Sequence, residues 1–160
     1  MTDLRLAPYA AATLRLALGV MFLAHSVGLK LLTFGLPGTA HFFVSVGLPA
    51  WLGYLTFAAE AAGGVLLVLG VQSRWVALSL VLPLVGAIVW VHAGNGWVFT
   101  APNGGWEYPA YLVILCVVQA MLGDGVFALG ATRSHDRLDS VELQRHALGY
   151  GDRFLPRRRW

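Results

Sequence analysis

Four apolar blocks, each close to the length that crosses a lipid bilayer, constrain this 160-residue chain more than any motif in it. They run over about 11–32, 51–71, 75–92 and 107–123. A helix needs about 20 predominantly apolar residues, at about 1.5 Å each, to cover a hydrocarbon core of about 30 Å. In hydrocarbon every backbone N–H and C=O must be satisfied inside the protein, which consecutive helices achieve. Charged residues make up 12% of the chain, against about 25% in a soluble domain. The predicted fold is all-α: an integral membrane four-helix bundle over residues 1–129, with a tail over 130–160.

The connectors refine this picture. Between the first two blocks, turn signals at Gly35-Leu36-Pro37-Gly38 and Gly47-Leu48-Pro49 bracket an apolar segment, Thr39 to Val46, too short to cross. It reads as a short interfacial or re-entrant helix. Gln72-Ser73-Arg74 makes the next turn, and Pro83 falls near the centre of the third span, where it should kink the helix. The connector before the fourth span contains Asn95, Gly96, Pro102, Asn103, Gly104 and Gly105. Beyond Leu129, the stretch Ser134 to Leu148 spaces Leu138, Val141 and Leu148 along one stripe, the pattern of an amphipathic C-terminal helix.

Charge sets the expected orientation. An even number of spans puts both termini on one side, together with Arg5, Arg15, Arg74 and the basic tail; the other side holds Lys30. The positive-inside rule places both termini in the cytoplasm. Seven of the eleven Lys and Arg residues lie beyond Leu129, with Arg157, Arg158 and Arg159 at the end. Such a tail suits topology or anionic lipid head groups, and the absence of a basic stripe with interleaved aromatics argues against nucleic acid. The lone Cys116 allows no intramolecular disulfide and no Cys-x-x-Cys redox pair, and reads as a small packing residue.

Against this apolar background Glu60 stands out. It lies near the middle of the block WLGYLTFAAEAAGGVLLVLGV, three and four residues before Gly63 and Gly64. A charge at a helix centre costs about 2.5–3.5 kcal/mol even on lenient insertion scales, so a proton or a buried partner must offset it. The glycine notch lets a neighbouring helix approach and bring a donor. Under the expected topology, His25, Lys30, Glu60, His92 and Glu107 fall toward the same outer side, while the cytoplasmic half has Arg15. These residues outline a candidate polar site. His25 has a ring fit for proton relay or for a hydrogen bond to Glu60. Lys30 could bind a ligand or reach head groups. His92 and Asn95 share a face, and Glu107 suits either a ligand or a helix N-terminus. A two-histidine, two-carboxylate metal set from His25, His92, Glu60 and Glu107 lacks the Glu-x-x-His or His-x-x-x-His spacing such sites use. Haem between His25 and His92 is disfavoured by their different depths, and the glycines lack the strand–turn–helix context of a dinucleotide site.

The chain resembles the DoxX family of small four-span bacterial membrane proteins over most of Leu14 to Gly123. The resemblance rests on RLALGVMFLAHSVGLKL, FGLPGTAHFFVSVGLP, AAEAAGGVLLVLGVQSRWVAL, VHAGNGW and GGWEYP, in that order. His25, Lys30, Glu60, His92 with Asn95-Gly96, and Glu107-Tyr108-Pro109 occupy positions that correspond to the family's polar ones. Ser26 stands where many members have glycine. The resemblance implies residence in the bacterial cytoplasmic membrane. It also implies an oxidoreductase role, since related proteins form the quinone-reducing membrane part of a thiosulfate oxidation system and others belong to redox-stress membrane complexes.

Two functions follow as expectations. In the first, the protein is a membrane redox component that holds a quinone-like head group. Glu60 and His25 handle protons, while Lys30, His92, Asn95, Glu107 and Tyr108 bind the ligand; electrons need a bound quinone, a metal or a partner subunit. In the second, it is a non-enzymatic scaffold or small-lipophile-binding module in a larger complex. A proton-coupled transporter is a weaker third reading, because four spans per chain would call for a homo-oligomer. Membrane lipids are the expected surroundings in every case.

Overall fold

In the computed structural model, the described residues are 5–130; the expected amphipathic helix at Ser134 to Leu148 and the basic C-terminal cluster lie outside them. Every regular element among the described residues is helical. The first helix, α1 (Ala7–Leu23), starts with Pro8 in its first turn. That position tolerates proline because its missing N–H would have no helical partner, and the helix therefore begins earlier than its apolar block. It runs on without a break into a π-helical stretch, Ala24–Thr33, giving 27 residues in all. Two hydroxyls bond back onto the backbone there: Ser26 Oγ donates to the Phe22 carbonyl at 2.7 Å, and Thr33 Oγ1 to the Gly28 carbonyl at 2.8 Å. Such back-bonding competes with the regular ladder and accompanies local distortion of helices.

The short connector helix is α2 (Gly35–Ser45). The Gly35-Leu36-Pro37-Gly38 stretch, read from sequence as a turn, is its first turn, where Pro37 needs no donor. It packs on α3 (Ala50–Leu69) and on the π stretch of the first helix. Gly53 makes the α3 contact close, since a Cβ there would lie 3.2 Å from the Ala40 Cα. Helix α3 ends at Gly70, whose φ of 70° is left-handed, the usual stop for a helix.

Helix α4 (Ser73–Gly86) includes Ser73, which the sequence placed in the turn. The reason is tertiary: Asp124, from the far end of the chain, accepts the Ser73 backbone N–H at 2.7 Å and so satisfies a donor at the helix start. Pro83 lies inside α4 without ending it, and the chain then widens into a second π stretch, Ala87–His92, before a short turn at Ala93–Asn95. The last helix, α5 (Glu107–Leu122), has 16 residues. At about 1.5 Å per residue it is roughly 24 Å long, short of a full hydrocarbon core.

Packing partners run α1 with α3, α3 with α4, α4 with α5 and α5 back to α1. Gly19 and Gly64 set the first contact, for a Cβ on Gly19 would sit 2.9 Å from the Gly64 carbonyl. Gly63 receives the Leu80 side chain of α4 in the same way. Small residues at helix crossings are how apolar helices approach closely without a hydrophobic drive between them. The core between the helices holds Leu18, Phe22, Leu67, Leu80, Leu84, Leu112 and Cys116. Most polar groups that are buried lie inside as well: Arg15, Ser26, Thr39, Glu60, Ser73 and Gln119. Leu32, Leu82, Trp75 and Met121, by contrast, face outward. Polar groups inside and large apolar ones outside is the distribution that lipid as solvent demands. Three helices, Ala7–Thr33, Ala50–Leu69 and Ser73–Asn95, are long and apolar enough to cross a membrane.

Candidate functional site

Glu60 is 7% exposed, and its carboxylate accepts from the Lys30 ammonium, with which it forms an ion pair. The partner that offsets the cost of the buried carboxylate is thus Lys30. Helix α3 supplies Glu60 one turn before its Gly63-Gly64 contacts, and the π stretch supplies Lys30. The Lys30 carbonyl in turn accepts the Thr39 hydroxyl of α2 at 3.1 Å. That bond ties the short connector helix to the backbone of the pair. A buried pair needs good geometry and further hydrogen bonds to offset the desolvation of both ions.

His25 lies five residues before Lys30 and belongs to a different contact. Its Nδ1 is 3.2 Å from the Met21 carbonyl. A carbonyl only accepts, so Nδ1 carries the hydrogen of that bond, and in the neutral ring Nε2 keeps its lone pair. The imidazole stacks on Tyr108 of α5, ring centroids 6.0 Å apart at 23°. The structure therefore brings His25 to Tyr108, and Glu60 to Lys30.

His92, Asn95 and Glu107 organise the loop between α4 and α5. His92 Nδ1 donates to the Gly104 carbonyl at 2.8 Å, and Asn95 Nδ2 donates to the same oxygen at 2.9 Å and to the Asn103 carbonyl at 3.2 Å. Glu107, the first residue of α5, accepts the Phe99 backbone N–H at 3.1 Å. Backbone bonds from Trp106 to Gly96 and from Glu107 to Trp97 close the loop. Trp97 packs edge-on against Trp106, centroids 4.4 Å apart. The polar residues grouped from sequence thus form three neighbouring contacts: an ion pair, a ring stack and a braced loop. Among the described residues, no three His, Cys, Asp or Glu side chains gather as a metal site requires.

Both π stretches carry candidate site residues, His25 and Lys30 in the first and His92 in the second. Wide turns of this kind are rare and recur at functional sites. Residue periodicity gives no warning of them. In the first of them the Ser26 hydroxyl donates to the Phe22 carbonyl.

A second polar cluster, missed from sequence, closes the opposite end of the molecule. Arg15 is 1% exposed and donates to the Val126 carbonyl at 3.2 Å, with the Val68 and Phe127 carbonyls at 3.5 Å. It reaches the C-terminal turn of α3, where unpaired carbonyls favour a cation. Gln119 Nε2 donates to the Gly123 carbonyl at 2.6 Å. The chain after α5 then lies across α3, with Leu129 and Gly130 amides bonded to the Leu69 and Gly70 carbonyls. A sequence cannot announce the Arg15 contacts, because their acceptors are backbone atoms more than fifty residues away.

An all-helical chain with long apolar helices, outward-facing apolar side chains and an internal ion pair is a multi-pass membrane protein. It belongs to the DoxX family, whose model matches residues 10–93. That span includes His25, Lys30, Glu60 and His92 and stops before Asn95, Glu107 and Tyr108. The chain is also 35% identical over 117 residues to a protein of Bacillus subtilis (strain 168) described as "Putative oxidoreductase CatD", covering 72% of this chain and 81% of that one. No solved structure matches it.

Proposed function

We propose that this protein is a membrane redox component that holds a quinone-like head group beside the Lys30–Glu60 pair and moves protons to it. The observation that carries this reading is that pair itself, an acid and a base in contact inside apolar helices. Reducing a quinone to a quinol takes two electrons and two protons. In this reading Glu60 and Lys30 exchange the protons, and His25, with Nε2 available, relays them. The Tyr108 ring on His25 offers a flat surface next to a planar head group. His92, Asn95 and Glu107 brace the loop that closes this end of the site. Electrons enter from a partner subunit, in keeping with a relative named as an oxidoreductase.

The same reading takes α5 as the fourth span, tilted little and reaching the interface through Trp106 and Tyr108. Both termini and the chain beyond Leu129 are then cytoplasmic, in the bacterial inner membrane, with Arg5, Arg15 and Arg74 on that side.

The test is reduction of a short-tailed benzoquinone, with an added reductant, by native membranes that contain the protein and its partner subunit, with mass spectrometry of lipophiles extracted from the purified chain. Glu60→Gln is expected to abolish protein-dependent reduction while the helix content measured by circular dichroism stays unchanged. Undiminished reduction by that variant removes the proton role from Glu60. A wild-type protein that carries no quinone when purified, from membranes that show no protein-dependent reduction, leaves the scaffold reading in its place.

A further inference from the structure

At the end of the molecule away from the ion pair, α4 and α5 border an open groove of about 460 Å³. Six residues line it: Arg74, Trp75 and Leu78 from α4, and Val117, Ala120 and Met121 from α5. The spacing on each helix is that of one continuous face, three or four residues apart. Its walls are apolar and turned outward, with Trp75 66%, Leu78 40% and Met121 76% exposed. Arg74 is the second residue of α4 and therefore sits at the rim, where the apolar helix begins. Its guanidinium is exposed, and among the described residues it makes no hydrogen bond or ion pair. Asp124, the acid beside the end of α5, is turned to the Ser73 amide instead.

From this we infer that the groove is a binding site for an anionic phospholipid, its phosphate on Arg74 and one acyl chain along Leu78, Val117 and Met121. Charge decides the occupant. A cation with five donors at the head of an apolar slot matches a phosphate joined to a hydrocarbon chain. Basic pockets between membrane helices recognise anionic head groups in this way. Trp75 lies beside Arg74 at the same level, where an indole favours the head-group region. A second copy of the chain or a neutral lipophile would fill the slot but leave the guanidinium without a counter-charge. The inference rests on α5 lying against lipid, as in the four-span reading. It requires no quinone turnover, so failure of the reduction assay leaves the lipid count standing, and the converse also holds.

Native mass spectrometry of the full-length protein in detergent, mixed with equal amounts of dioleoyl phosphatidylglycerol and dioleoyl phosphatidylcholine, tests the site. The wild type is expected to retain one phosphatidylglycerol per chain in preference to phosphatidylcholine. Arg74→Gln should reduce that preference about fivefold, which corresponds to about 1 kcal/mol for one basic residue near an anionic surface. Arg74→Lys should keep most of it. Met121→Trp, which fills the groove from an exposed position, should lower retention of both lipids. Arg157, Arg158 and Arg159 are untouched in every variant, so lipid held by them alone would give the same preference in wild type and Arg74→Gln. That result overturns the inference, as does a Met121→Trp protein that retains as much lipid as the wild type. A wild type that carries no lipid and instead loses a dimer on Met121→Trp overturns it in favour of a second copy.

Discussion

A carboxylate and an ammonium in contact among apolar helices depend on each other. Removing one leaves the other buried and uncompensated, whereas removing both leaves a neutral interior. Lys30→Met is therefore expected to destabilise the bundle by about 3 kcal/mol or more, and Lys30→Met with Glu60→Gln to recover most of that loss. Unfolding in mixed detergent checks this, and additive losses in the double variant would show that the two side chains do not act as a pair. Arg15 makes a parallel case at the other end. Its Nη1 occupies the space a Cβ on Gly70 would take, so Gly70 serves both the left-handed turn and the guanidinium. Gly70→Ala should expel Arg15 from its carbonyls as well as strain the backbone, costing about 2 kcal/mol or more by the usual worth of hydrogen bonds to a charged group. An unchanged midpoint in the same unfolding assay would contradict it.

At the scale of elements, the glycines on α1 and α3 decide how near Lys30 and Glu60 come. The two helices touch at Gly19 and Gly64, and one turn from Gly64 lies Glu60. A Cβ on Gly64 would fall 2.9 Å from Leu23 Cγ and 3.1 Å from the Gly19 carbonyl, so a larger residue must push the helices apart. Gly64→Leu is expected to lower stability by about 1–3 kcal/mol, as overpacking does, and to separate the ion pair. The variant should then behave like Glu60→Gln in the reduction assay. Full activity in Gly64→Leu would mean that the pair tolerates a wider helix spacing. The notch beside Glu60 was legible in the sequence because glycines three and four residues from an acid share its face. The partner it admits was not legible, since His25 and Lys30 lie on the same element and the π widening alters which of them turns toward α3.

Over the whole molecule, the two polar clusters lie at different levels of the bundle. The chain after α5 covers one end by bonding to the last carbonyls of α3, while the braced loop covers the other. The proposed topology places the loop outside the cell and the α3–α4 turn in the cytoplasm. In a Cys116→Ala background, a membrane-impermeant thiol reagent should label Phe99→Cys from outside intact spheroplasts and leave Gln72→Cys unlabelled until the membrane is opened. Both positions are exposed, so accessibility within the fold does not bias the comparison. Labelling of Gln72→Cys from outside would reverse the orientation.

Hydropathy and turn residues determined, without any structure, that the described part of this chain is all-helical and crosses a membrane, and that Glu60 needs a partner. They could do so because lipid as solvent imposes length and polarity on every spanning segment. Composition also settled that Cys116 packs rather than reacts in a pair, and it is fully buried in the core. Tertiary structure alone decided that Glu60 meets Lys30, that His25 stacks on Tyr108, and that Arg15 reaches carbonyls from two distant parts of the chain. Those contacts depend on the rotation and spacing of helices about their axes. Glycine crossings and π turns set both, through backbone geometry that no periodicity in side chains records.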